Sequence, residues 1–153
     1  MAMRPATIIN QKIIEEALLS AFEKWAEEDI NEAHWDDQFL GEKWKYNGVT
    51  ERANGETVTS PRDIYDLGAL YKSGQESFNF SMDTNGAEAN WYWDATNRSG
   101  QEYAWYVHEG LGTNATPRRF TDDISTPSSF WRKTPGKAFK LQVQKALDGI
   151  HAN

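Results

Sequence analysis

Apolar side chains recur along the first third of the chain at the spacing of one helical face. Ile14, Leu18, Ala21, Phe22 and Trp25 follow one another at steps of four, three, one and three, the stripe that an amphipathic helix turns toward a core. Lys12, Glu16, Ser20, Glu23 and Glu27 fall on the opposite face. The pattern predicts a long N-terminal helix from about Asn10, a residue type that caps helices, to about Glu32. Beyond Ile30 the periodicity blurs through Ala33, Trp35 and Phe39. A second helix closes the chain: Thr134 as cap and Pro135 at the first position, then Phe139, Val143, Ala146, Leu147 and Ile150 on one face.

Between them the period changes. Residues 41–59 are rich in turn formers, with Trp44 and Tyr46 alternating with Lys43, Lys45 and Asn47 as in a short strand, and Asn54-Gly55 as a turn. Ser60-Pro61-Arg62-Asp63 reads as cap, first-turn proline and acid, and predicts a short helix from Pro61 to about Lys72. Phe78, Phe80 and Met82 then alternate with polar residues up to Asp83-Thr84-Asn85-Gly86. Ala87, Ala89, Trp91 and Trp93 alternate beyond it. Period-two patterning on both sides of an Asn-Gly turn is a strong hairpin signal. Residues 102–108 are short, apolar and open to either strand or helix. Gly110, Gly112, Asn114 and Pro117 mark a loop. The order predicts an α+β fold over residues 1–153 as one domain, a small antiparallel sheet flanked by a long N-terminal helix and a C-terminal helix.

Composition sharpens this picture in two respects. Only 39% of the 153 residues are hydrophobic, yet seven Trp, seven Phe and six Tyr are among them. Aromatics bury much area per residue and dominate cores and interfaces, so such a chain suits a small domain that also presents contact surface. The charge is uneven. Residues 1–60 carry twelve acids and six bases, net −6; residues 61–114 eight and three, net −5; residues 115–153 three and seven, net +4; the sum is −7. A chain acidic at one end and basic at the other is able to associate head to tail with itself if the two regions lie on different faces; two solvated faces are the plainer reading. The absence of cysteine excludes thiolate chemistry and a disulfide framework. No stretch approaches the roughly 20 apolar residues of a membrane span, and residues 1–11 lack the pattern of a signal peptide, so the expected place of synthesis is a reducing cytoplasm. Three Asn-x-Ser/Thr triplets, at Asn79, Asn97 and Asn114, read as chance.

Catalytic chemistry has thin support. His108-Glu109 sets a base beside an acid, but neighbours in sequence rarely converge on one substrate atom, and Gly112 rules out a His-Glu-x-x-His zinc motif. Asp36-Asp37 and Asp122-Asp123 lack the oxygen-rich spacing of a calcium loop. No nucleophile elbow, phosphate loop or dinucleotide fingerprint occurs. The expectation is no enzyme activity, no cofactor and no metal. The basic run from Arg118 to Lys145 points weakly to nucleic acid, against the acidity of the whole chain. Trp91 and Trp93, on one face of the hairpin, offer a stacking platform for sugars, so a carbohydrate-binding module is the alternative of a different class; core or subunit interface is the commoner use of such a stripe.

Three short patterns resemble the tail-completion (tail-to-head joining) proteins of long-tailed bacteriophages. Asp66-Leu67-Gly68-Ala69-Leu70-Tyr71-Lys72-Ser73 is similar to the family's Asp-Thr-Gly-x-Leu-x-x-Ser. Tyr103-Ala104-Trp105-Tyr106-Val107-His108-Glu109-Gly110 is similar to Tyr-Ala-x-Tyr-Val-Glu-x-Gly-Thr. Pro117-Arg118-Arg119-Phe120 is similar to the Ala-Arg-Pro-Phe stretch before a C-terminal helix. Leu67 replaces the usual Thr, Glu109 comes one place late, and Arg119 stands where the proline belongs. The resemblance implies an α+β structural virion protein of the neck or tail, without enzyme activity, assembled in the host cytoplasm. It implies a homo-oligomeric ring, expected as a hexamer, that contacts neck (connector) and tail-tube proteins while DNA passes through its channel without specific binding. Tail terminators and head-completion rings share this habit and are the nearest alternatives. The expected interface residues are Trp105, Tyr106, Glu109, Arg118, Arg119 and Phe120, since aromatics and Arg are enriched at contact hot spots.

Overall fold

The computed structural model describes residues 11–111, 116–126 and 130–152. The predicted cap Asn10 and the loop residues Gly112 and Asn114 lie outside them.

The N-terminal helical run is longer than its periodicity suggests, because its geometry changes partway. α1 spans Gln11–Lys24, a π-helical segment follows over Trp25–His34, and α2 continues over Trp35–Leu40. Trp25, Ile30 and Trp35, all buried, are spaced by five. At 3.6 residues per turn each step of five would swing about 140° past a full turn and off the core face. In a π-helix, bonded i→i+5, such residues stack on one side; Trp35 N–H donates to Ile30 C=O accordingly. The blur beyond Ile30 is therefore a change of helical period, not the end of the helix.

The Ser60-Pro61-Arg62-Asp63 expectation of a helix start is not met. Arg62 pairs with Trp44 as an isolated antiparallel bridge, with backbone bonds of 2.9 and 2.8 Å. The Ser60 hydroxyl accepts from the Tyr46 N–H at 3.1 Å instead of capping a helix. Beside this bridge β1 (Thr50–Glu51) pairs antiparallel with β2 (Thr57–Val58) around the Asn54-Gly55 turn. Helix α3 begins only at Ala69, after Gly68 in the left-handed region at φ +84°, and runs to Glu76. A bonded bridge and a largely buried guanidinium outweigh a local capping signal.

The hairpin forms as predicted: β3 (Asn79–Asp83) pairs with β4 (Gly86–Asn90) from Asn79↔Asn90 to Asp83↔Gly86. The ladder ends at Asn90, so Trp91 and Trp93 keep the inward alternation but lie beyond the strand. The two hairpins are separate two-stranded sheets. Residues Ala104–Glu109 are a short helix, α4, closed by Gly110 at φ +66°, and α5 spans Asp122–Ser125. The C-terminal helix α6 runs Thr134–Ala152 and packs along α1 and the π segment; its predicted stripe is the half-buried one. The fold is α+β, with long helices at both ends and small antiparallel sheets between them.

One buried cluster joins these pieces: Trp25, Ile30, Trp35 and Phe39 from the helical run, Leu70 from α3, Ala95, and Phe120. Trp35 lies edge-on to Trp91 at 5.7 Å and to Trp93 at 4.9 Å, and Phe120 meets Phe39 at 4.9 Å. Rings in edge-to-face contact at these distances add to the stabilisation from burial. The surplus of aromatics is spent largely inside.

Candidate functional site

The stretch from Ile64 through the Gly68 turn into α3, the Thr96–Arg98 turn and the short helix α4 line a cleft of about 450 Å³. Asp66, Gly68 and Leu70 come from the first of the three sequence patterns, Tyr103 and Val107 from the second, and Arg118 from the third. Segments tens of residues apart thus form walls of one cavity. The second and third are joined directly, since the Arg118 N–H donates to the carbonyls of Val107 and His108 at 3.3 and 3.0 Å. Asp66 is held by the first hairpin, its carboxylate accepting from the Ala53 and Asn54 N–H groups at 3.3 and 3.2 Å. Tyr71, also in the wall, donates its hydroxyl to Asp36; burial and this carboxylate push its pKa up to about 12. The Tyr103 phenol is likewise raised by burial.

Three guanidinium groups approach one another beside the cleft. Arg62 is 5% exposed and donates to Thr59 O, Thr50 Oγ1, Val58 O and Gly48 O at 2.8–3.1 Å, with its carbon 4.0 Å from the Tyr46 ring centre. Arg52 is paired with Asp63 at 2.6 Å and Glu56 at 3.3 Å. Arg118 lies 5.8 Å from the other partner of this stack, the Tyr46 ring, and its Nε is shut from solvent with no hydrogen-bond partner. Burial lowers the Arg118 pKa, and the neighbouring Arg62 and Arg52 lower it further. Sequence reasoning singled out Arg118 but missed Tyr46 and Arg62; nothing in spacing alone links positions 46, 62 and 118.

The other expected contact residues divide sharply. Trp105 and Tyr106 are 64% and 56% exposed on α4. Glu109 is half-buried and meets Arg119 at 3.3 Å and His108 Nδ1 at 2.9 Å. Phe120 is a correction: at 2% exposure it belongs to the core, because the chain turns inward there and sets its ring against Phe39, Trp93 and His108. Arg118 and Arg119, expected to act together, point to different surroundings, one into the cleft wall and one to the exposed face.

His108 has both ring nitrogens engaged within the protein, Nδ1 by Glu109 and Nε2 by the Thr121 hydroxyl at 2.9 Å. It ties α4 to the start of α5 beneath the stacked Trp105 ring. Trp91 and Trp93 are half-buried; they line a groove with Tyr92 and Trp105 and are also tied inward. Trp91 donates to Asn31 at 3.0 Å and stacks on Phe78. Trp93 is wedged against Gly74, where an added Cβ would fall 2.1 Å from its Nε1. Of the acid pairs, Asp36 serves Tyr71 and Asp37 pairs with Lys43 at 2.5 Å. Among the described residues no three His, Asp or Glu side chains are grouped to hold a metal ion, and no helix is long and apolar enough to cross a membrane. Comparison with protein-family models, with curated proteins and with solved structures found no match.

Proposed function

We propose that this chain is a structural, non-enzymatic subunit of a tailed-phage virion that forms a ring at the neck and joins tail to head. The observation that carries the reading is the meeting of three short patterns, each similar to one of the tail-completion family, in the walls of a single cleft. Chance matches scattered from Asp66 to Phe120 would have no reason to share a cavity. Exposed Trp105 and Tyr106 supply contact aromatics, and the net −6 of residues 1–60 against the net +4 of residues 115–153 favours a head-to-tail contact that closes on itself. Surplus acid facing the channel would keep DNA from adhering as it passes.

The test is native mass across a concentration series, with negative-stain imaging. Closed rings that loosen in 1 M salt, where charge contacts are screened within about 3 Å, are the expected result. A strict monomer that also fails to co-purify with phage tail-tube and connector proteins would overturn the reading.

A further inference from the structure

The cleft has an uncompensated cation in its wall. Asp63 and Glu56 are the carboxylates bonded to Arg52, and Arg62 is satisfied by carbonyl and hydroxyl oxygens. Among the described residues no acceptor bonds the Arg118 guanidinium, and its Nε is already stripped of water. Three guanidinium groups thus share two carboxylates. Arg98, exposed at the same cavity, adds a further cation. Among the described residues the one carboxylate in the wall, Asp66, accepts from two backbone N–H groups. Removing a guanidinium from water without giving it a partner is costly, and an incoming carboxylate would recover that cost. The rest of the wall, with Ile64, Leu67, Leu70 and Val107, suits the aliphatic stem of a long acidic side chain.

We infer that the cleft is the receiving half of a contact between two copies of this chain, and that it takes a glutamate from the π segment of the neighbour onto Arg118. This rests on the ring reading above. The choice of occupant follows from charge complementarity. Residues 23–32 hold five acids against Lys24. Glu27, Glu28 and Glu32 are exposed and make no hydrogen bond or ion pair among the described residues, whereas Asp29 is engaged by Gln142 at 3.0 Å. Carried on a helical segment anchored by Trp25, Ile30 and Trp35, they are held in place before any partner arrives. The donor and receiving surfaces are different patches, as a heterologous, ring-closing contact requires.

Two variants test opposite halves. Arg118→Met removes the receiving charge at similar volume; the triple change Glu27→Gln, Glu28→Gln, Glu32→Gln removes the incoming ones. Each alone should weaken self-association by about thirtyfold or more, the loss expected when one member of a desolvated pair is removed. Arg119→Met should not. An equimolar mixture of the two variants should give dimers and no rings, since one intact interface survives per pair. Arg118→Met should melt at or above the wild-type temperature, because it discards an unpaired, part-buried charge; if it failed to fold, the glutamine variant still decides the matter. Wild-type assembly by both variants would overturn the inference and leave the ring reading intact. If the wild type stays monomeric at every concentration and does not co-purify with tail-tube and connector proteins, the ring reading fails; in any monomeric case amide chemical shifts on titrating a peptide of residues 23–32 decide the cleft. Shifts at Gly68, Leu70 and Val107 that vanish in Arg118→Met support it; none overturn it.

Discussion

Gly110 closes α4 with φ +66°, and a Cβ added there would lie 2.3 Å from the backbone of Thr116 and Pro117. The left-handed conformation costs an L-residue about 1–2 kcal/mol, and a backbone neighbour has no rotamer with which to yield. Gly110→Ala should therefore lose at least about 1–2 kcal/mol in urea unfolding; a change within a few tenths would contradict the tight approach. His34 makes a different prediction. It is 7% exposed with its Nε2 unpartnered, and burial lowers its pKa to about 4, with Asp123 and Asp37 opposing and Lys43 reinforcing the shift. The unfolded chain takes up this proton near pH 6.5 and the folded one only near pH 4. The contribution to stability is thus complete above about pH 6.5 and is lost as pH falls toward 4, on the order of 3 kcal/mol in all. The carboxylates titrate in part of the same range, so the comparison is with His34→Leu. Its urea midpoint should fall less than the wild type's between pH 7 and pH 4.5, and parallel curves would remove His34 as the cause.

At the scale of elements, the π segment decides how the N-terminal run meets the rest of the chain. By changing the helical period over Trp25–His34 it brings Trp25, Ile30, Trp35 and Phe39 to the core in succession. It also sets the Trp25 Nε1–H on the carbonyl of Pro135 at 2.8 Å, fixing the start of α6. Trp25→Phe keeps a ring in the site but strands that carbonyl, and should cost about 1–3 kcal/mol; a neutral substitution, by chemical denaturation, would show that the bond contributes nothing. The Ser60–Asp63 stretch teaches the converse. Its residues are good for a helix start, but Arg62 finds four oxygen partners and an aromatic face only if the chain runs straight past Trp44.

Across the whole molecule, charge and aromatic surface are arranged on separate patches. Glu27, Glu28 and Glu32 stand exposed on the π segment, the Arg118 guanidinium lines a cleft with its Nε unpartnered, and Trp105 and Tyr106 project from α4. Under the ring reading these are opposite sides of one repeated contact. Assembly should then depend on ionic strength and on Arg118 more than on Arg119, which already has Glu109 as partner. Sedimentation of single charge variants in low and high salt measures this, and equal effects of the two arginines would contradict the division.

Local physics, readable in residue order, settled the amphipathic α1 and α6, the Asn85-Gly86 hairpin and the alternation that turns Trp91 and Trp93 inward. Each depends on neighbours within a few positions, through helical or strand period and turn chemistry. The candidate residues Trp105, Tyr106, Glu109, Arg118 and Arg119 were also named from the chain alone, by resemblance of short patterns. Tertiary structure decided the remainder. Whether Phe120 faces solvent or core depends on Phe39 and Trp93, 81 and 27 positions away. The five-residue spacing of Trp25, Ile30 and Trp35 is visible in the sequence, but it takes on meaning only when Trp91, Trp93 and α6 cover that face. The cleft required Asp66, Gly68, Tyr103, Val107 and Arg118 to meet, and long-range packing alone brings such positions together.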